Sequence, residues 1–172
     1  MNFENLDYLQ NGTPQQKAVY ALLTEHQILI QLQAYDPLLV GTIPLDIATE
    51  KSDLDIICCF EEKATFVETL RKNFGKANHF RFVEPFNSAS VVVASFFIEG
   101  YEVEVYGENT PSREQSGYRH LLVEHKLLTR YGEDFRQQII ALKRQGFKTE
   151  PAFAQVLQLE GDPYLALLQF EA

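Results

Sequence analysis

At 172 residues the chain is long enough to bury a core without disulfide or metal staples, and short enough for one domain with a modest helical appendix. Its 45% hydrophobic content is that of an ordinary globular protein, and a net charge of −9 argues against bulk nucleic-acid binding, which wants a basic face. The polar, acidic N-terminus has neither the basic start nor the apolar run of a signal peptide, and no stretch is long and apolar enough to span a bilayer.

In chain order, residues 13–35 read as helical. Thr13 is placed to cap, Pro14 suits the first helical position, and Ala18, Ala21, Leu22 and Leu23 form an apolar face. A second helix or a continuation runs through Ile28, Leu29, Ile30 and Leu32 and stops before Asp36-Pro37. Leu38 to Val40 is a short buried strand ending at Gly41, followed by a loop through Ser52. Residues 54–60 form a second strand with Asp53 and Asp55 at its start. The adjacent Cys58 and Cys59 read as small apolar residues of that strand, since neighbouring cysteines rarely meet disulfide geometry. Together with the missing signal peptide, this predicts a protein of the reducing cytosol.

Residues 61–74 are predicted helical with Gly75 as the stop, then 80–83 and 89–98 are predicted strands, with Glu99-Gly100 as a tight turn. Tyr101 to Tyr106 alternates strictly, with one apolar and one acidic face. Beyond Gly107 the pattern is helical, interrupted at Gly132, over residues 146–151 and at Gly161-Asp162-Pro163. The expected architecture is α/β (α+β): a small mixed sheet with helices over residues 1–107, and a helical region over 108–172 packed on it as one unit.

Two acidic pairs stand out. Alternate strand residues share a face, so Asp53 and Asp55 point one way while Leu54 and Ile56 point to the core. Side-by-side carboxylates repel unless a cation lies between them, and hard ions such as Mg²⁺ or Mn²⁺ take one or two carboxylates plus substrate phosphates. Glu102 and Glu104 form a second pair on the later strand. If the two strands pair, three or four carboxylates converge in a form suited to two-metal phosphoryl or nucleotidyl transfer. Taken separately, an Asp-x-Asp at a strand start or an acidic period-two strand is usually a solvated surface.

The combination of Val40-Gly41-Thr42, a loop, and Ser52-Asp53-Leu54-Asp55-Ile56 resembles the signature of the DNA polymerase β nucleotidyltransferase superfamily. That resemblance implies that Gly41 and Thr42 meet nucleotide phosphates, that Asp53 and Asp55 bind Mg²⁺ or Mn²⁺, and that Glu104 or Glu102 is the third acid, with Glu104 preferred. Ser52 matches the serine frequent before the first acid, and Thr42 stands where serine is usual. Over nearly its full length the chain also resembles a bacterial family, the domain of unknown function 4269. The stretches that carry this are residues 40–45 and 52–56, the helix from Tyr118 to Glu124, residues 148–154, and Gly161-Asp162-Pro163-Tyr164.

Other polar residues are secondary candidates. Arg119, on the first C-terminal helix, is the expected phosphate-gripping guanidinium, and Lys51 the expected loop lysine near a phosphate. Lys148 and Glu150 are weaker candidates between helices, where Thr149 is expected to cap. Asp162 caps the last helix. His120 and His125 lack zinc-type spacing, and a hydrogen-bonded, partly buried histidine is the expectation. Hydrolase, P-loop and dinucleotide-binding motifs are absent from the sequence.

The expected activity is metal-dependent transfer of a nucleotidyl group from a nucleoside triphosphate, ATP first among them, to a hydroxyl acceptor the sequence does not name. The alternatives are a catalytically degenerate fold that binds a nucleotide or a protein partner, or a toxin–antitoxin-like protein that modifies its partner.

Overall fold

The computed structural model describes residues 1–83 and 90–170. Five strands, β1 (Leu38–Val40), β2 (Leu54–Cys59), β3 (Asn78–Val83), β4 (Val91–Ile98) and β5 (Tyr101–Glu108), form one sheet in the order β1-β2-β5-β4-β3. Only β2 and β5 run parallel, and the other three pairings are antiparallel. The β4–β5 hairpin turns on Glu99 and Gly100 with φ of 49° and 86°, the left-handed pair that a two-residue turn needs to match strand twist. Ala89, the start of the expected fourth strand, lies outside the described residues.

Strand alternation divides the sheet into two unlike faces. Leu39, Leu54, Ile56, Cys58, Val92, Ala94, Phe96, Val103 and Val105 point to one face and are buried in a continuous apolar cluster. This face is covered by α2 (Pro14–Glu25), through Val19, Leu22 and Leu23, and by α4 (Lys63–Phe74), through Phe66, Leu70 and Phe74. The opposite face carries Asp55, Glu102, Glu104, Tyr106 and Glu108. At its β1 end Leu38, Val40 and Ile57 are sealed under the C-terminal helices by Tyr118, Leu121, Leu127 and Phe153. The acids lie where that cover stops.

The N-terminal helical stretch divides more than its periodicity suggests. A single turn α1 (Asp7–Gln10) precedes α2, and left-handed Gln27 (φ 52°) separates α2 from α3 (Ile28–Gln31) and a 3₁₀ turn at Gln33–Tyr35. Thr13 caps α2 as expected: its hydroxyl accepts from Gln16 N while Gln16 Oε1 accepts from Thr13 N. The last strand runs to Glu108, past the expected end at Tyr106. Gly107 is needed inside it, because a Cβ there would sit 2.3 Å from the Phe66 ring.

After a 3₁₀ turn at Ser112–Glu114, α5 (Ser116–Arg144) is two helices joined across a break at Gly132 (φ 77°). It is followed by α6 (Thr149–Leu157) and α7 (Pro163–Gln169). Asp162 caps α7 by accepting from Tyr164 N and Leu165 N. Thr149 does not cap α6: Lys148 occupies that position and makes no side-chain cap bond, so Thr149 is already the first helical residue.

Candidate functional site

The parallel pairing of β2 with β5 sets the acids side by side. Asp55 is in register with Glu104, one strand spacing away, and Asp53 lies just upstream of β2. The three carboxylates accept no hydrogen bond from the described residues. Burial, aided by repulsion from Asp53 and Glu104, pushes the Asp55 carboxyl up to about 7. Burial, followed by Asp53 and Glu102, likewise raises Glu104. Lys143 and Lys148 work against the shift at Asp55.

Glu102 sits two residues before Glu104 on the same strand face, in different company. Its Oε1 accepts from Ser95 Oγ at 2.5 Å and from Arg81 Nη2 at 2.8 Å. The neighbouring strands β3 and β4 therefore satisfy Glu102, whereas Glu104 faces the cleft.

The β1–β2 loop forms the next wall. Gly41 has φ +74°, and a Cβ there would lie 2.1 Å from Asp55 Oδ2, so the glycine is what lets the carboxylate lie against the chain. Thr42 Oγ1 donates to Ser52 Oγ at 3.2 Å, and Ser52 Oγ accepts from Thr49 N at 2.9 Å. The loop is polar in part, yet Ile43, Leu45 and Ile47 are buried. Gln16 Nε2 donates to Ile43 O and Pro44 O, Arg136 Nη1 to Leu45 O and Asp46 O, and Lys143 Nζ to Ile47 O. The loop is thereby anchored to α2 on one side and to α5 on the other.

These elements and the C-terminal helices enclose a cleft of about 740 Å³. Gly41, Thr42, Lys51, Ser52, Asp53, Asp55 and Glu104, all predicted from sequence, line it, as do the weaker candidates Lys148 and Glu150. Arg119 and Glu102 do not appear among the lining residues. Arg119 is exposed on the side of α5 away from the cleft, and the residue that turns inward is its neighbour His120. His120 is 5% exposed, with Nε2 3.0 Å from Tyr164 O and Nδ1 3.5 Å from Glu150 Oε1, the hydrogen-bonded histidine expected from sequence.

Sequence reasoning missed Glu124 and Lys143, which also line the cleft. Glu124 is 3% exposed, its Oε1 has no hydrogen-bond partner among the described residues, and burial, with Glu150 nearby, pushes it up to about 8. Lys143 is brought down to about 8 by burial, against the pull of Glu124, Asp55, Asp53 and Glu150. The available signal was spacing: Glu124 stands four residues after His120, on the same inward helical face.

Among the described residues, no three His, Cys, Asp or Glu side chains are close enough to form a ready-made cation cage. The donor set nevertheless fits a hard divalent ion. It consists of carboxylate oxygens without hydrogen-bond donors among the described residues, two of them, Asp55 and Glu104, raised in proton affinity by burial and then by neighbouring acids, and such an ion characteristically takes its remaining ligands from water and substrate phosphates.

A mixed sheet with paired carboxylates on its central parallel strands, behind a glycine-hinged loop, defines a nucleotidyltransferase-like fold, and known structures agree. A Cid1 poly(U) polymerase bound to MgGTP aligns with a TM-score of 0.58 at 8% identity, over 80% of this chain and 46% of that one. The GLD-2/RNP-8 complex gives 0.57 at 11% identity, over 88% and 60%. The polymerase core of TRAMP, an RNA surveillance complex, gives 0.53 at 12% identity, over 91% and 49%. All three are polymerase β-like nucleotidyltransferases, and the chain spans about half the length of these structures. No curated relative matches the chain. The chain belongs to the family described as domain of unknown function (DUF4269), whose model matches residues 21–170.

Proposed function

We propose that the protein transfers a nucleotidyl group from a nucleoside triphosphate to a hydroxyl acceptor. The observation that carries this reading is the register of Asp55 with Glu104, with Asp53 beside them, on a cleft floor bordered by Gly41 and Thr42. Asp53 and Asp55 would hold Mg²⁺ or Mn²⁺, with Glu104 as the third ligand. When bound, the ion neutralises the triphosphate and stabilises charge developing at the α-phosphate. The Gly41 backbone, the Thr42 and Ser52 hydroxyls and Lys51 position the phosphates, aided by Lys143 and Lys148.

In the reaction the acceptor oxygen bonds to the α-phosphorus, the bond to the β-phosphate oxygen breaks, and pyrophosphate leaves. Glu104, whose proton affinity burial raises, takes the hydroxyl proton directly or through water. Solved structures described as a poly(U) polymerase bound to MgGTP and as the polymerase core of an RNA surveillance complex support a metal–nucleotide ligand, and ATP is the first nucleotide to test.

A nucleotide-binding module without turnover is the second reading. It is favoured by the absence, among the described residues, of three acids already drawn into one cluster.

The test is calorimetric titration with ATP, GTP, CTP and UTP, with and without Mg²⁺, on the wild type and on Asp53→Ala/Asp55→Ala. The expected result is Mg²⁺-dependent binding that the double variant loses. Binding of no triphosphate under any condition contradicts both readings. Binding without release of pyrophosphate across a panel of acceptors favours the second.

A further inference from the structure

The helical wall of the cleft holds two buried oxygens without donors. Among the described residues, Glu124 Oε1 has no hydrogen-bond partner, and neither does Gln115 Oε1, whose residue is 2% exposed. The Gln115 amide orientation is set by its nitrogen, which donates to Cys58 O at 2.9 Å and Thr110 O at 2.8 Å. Both residues line the cleft. A buried polar atom left unpaired costs about 1–3 kcal/mol, and at Glu124, a residue of the cleft wall, a donor brought in by a ligand would relieve that cost. Gln115 Oε1 is an acceptor, and Glu124 becomes one on giving up the proton that its burial favours, which an arriving ammonium promotes; what each then lacks is an N–H or O–H donor.

Charge narrows the choice. The cleft is lined by Asp53, Asp55, Glu104, Glu108, Glu124 and Glu150 against Lys51, Lys143 and Lys148. Lys143 lies in the field of both acidic groups, Asp53 and Asp55 on the sheet and Glu124 and Glu150 on the helices. Its own ammonium already donates to Ile47 O at 3.0 Å. Once a triphosphate engages Lys143, Glu124 and Glu150 lose their share of its charge. Glu150 has His120 Nδ1 at 3.5 Å, whereas Glu124 has no ion pair among the described residues.

We infer that the helical wall is the acceptor's seat, and that the acceptor is an amino-bearing hydroxyl compound whose protonated amine is received by Glu124, with Glu150 adding to the field. The inference rests on the nucleotidyl-transfer reading for the word acceptor, while the amine seat itself is testable without it.

The experiment compares matched pairs that differ in the amine alone, glucosamine against glucose and serinol against glycerol, by calorimetry on the full chain. The variants are Glu124→Gln and Glu150→Gln, with their folding verified by circular dichroism melting. The wild type should prefer the aminated member by about tenfold or more, the range of a hydrogen bond to a charged group, and Glu124→Gln should abolish that preference. Should Glu124→Gln fail to fold, Glu150→Gln must weaken the preference instead. Equal binding within each pair, as expected if only water fills the space, overturns the proposal. So does a preference retained in the variants, or no binding of either aminated probe at millimolar concentration. MgATP binding by the wild type is measured alongside: its absence with the amine preference intact sinks the nucleotide reading alone, and the converse sinks the amine seat alone.

Discussion

The two faces of strand β2 carry opposite physical logic within adjacent residues. Ile56 is fully buried among aliphatic and aromatic side chains, where each contact adds to stability. Asp55, one residue away, is held beside Asp53 and Glu104 with no hydrogen-bond donor among the described residues, relieved only in part by the charges of Lys143 and Lys148. A sheet face shaped only by folding would not keep Asp53, Asp55 and Glu104 together, since the like charges cost stability. The difference teaches where function displaced stability, and it can be broken residue by residue.

The largest effect is expected at Asp55. Asp55→Asn should lower nucleotidyl transfer roughly a thousandfold, matching the several kcal/mol a divalent ion supplies, while the melting temperature of the free protein stays the same or rises. A drop in melting temperature would make Asp55 structural and erase the contrast. Ile56→Ala should do the reverse, costing about 2–5 kcal/mol in denaturant unfolding while the folded fraction keeps its nucleotide affinity.

The helical wall provides a third test through Glu124. Its carboxyl is raised from 4.5 to about 8 by burial and by Glu150, with Lys143 opposing and His120 packed one turn before it. The folded state therefore prefers the protonated acid. That stability is fully present below pH 4.5 and is lost as pH rises toward 8. The free protein should lose on the order of 5 kcal/mol across this window, and Glu124→Gln should flatten the profile in pH-dependent denaturant titrations. A flat wild-type profile would show that Glu124 is solvated.

The smallest effect is expected at Glu102. Its bonds to Arg81 and Ser95 are partly exposed, so Glu102→Gln should cost under about 1 kcal/mol and leave turnover nearly intact, in contrast to Glu104→Gln.

Much of this was legible in the sequence. Strand alternation in Tyr101 to Tyr106 and in residues 53–56 puts the acids on one face, and the proline and capping signals at Thr13-Pro14 and Asp162-Pro163 mark helix starts that the structure has. The rest depends on long-range packing. Which glutamate is satisfied depends on β3 and β4 bringing Arg81 and Ser95 to Glu102, and no local pattern encodes that register. Arg119 and His120 differ by one helical position, about 100° of rotation, and their chemistry alone favoured the arginine. Lys143 lies far along α5 and reaches the site because that helix breaks at Gly132 and returns beside the β1–β2 loop at Ile47.

The most direct test of the central claim is Mn²⁺ binding, followed by electron paramagnetic resonance, in the presence of a non-hydrolysable ATP analogue. Wild type and Glu102→Gln should bind the ion with equal affinity, Glu104→Gln should bind it more weakly, and Asp53→Ala/Asp55→Ala should not bind it. Equal Mn²⁺ affinity in all four proteins would contradict the assignment of the β2–β5 carboxylates as a metal–nucleotide site.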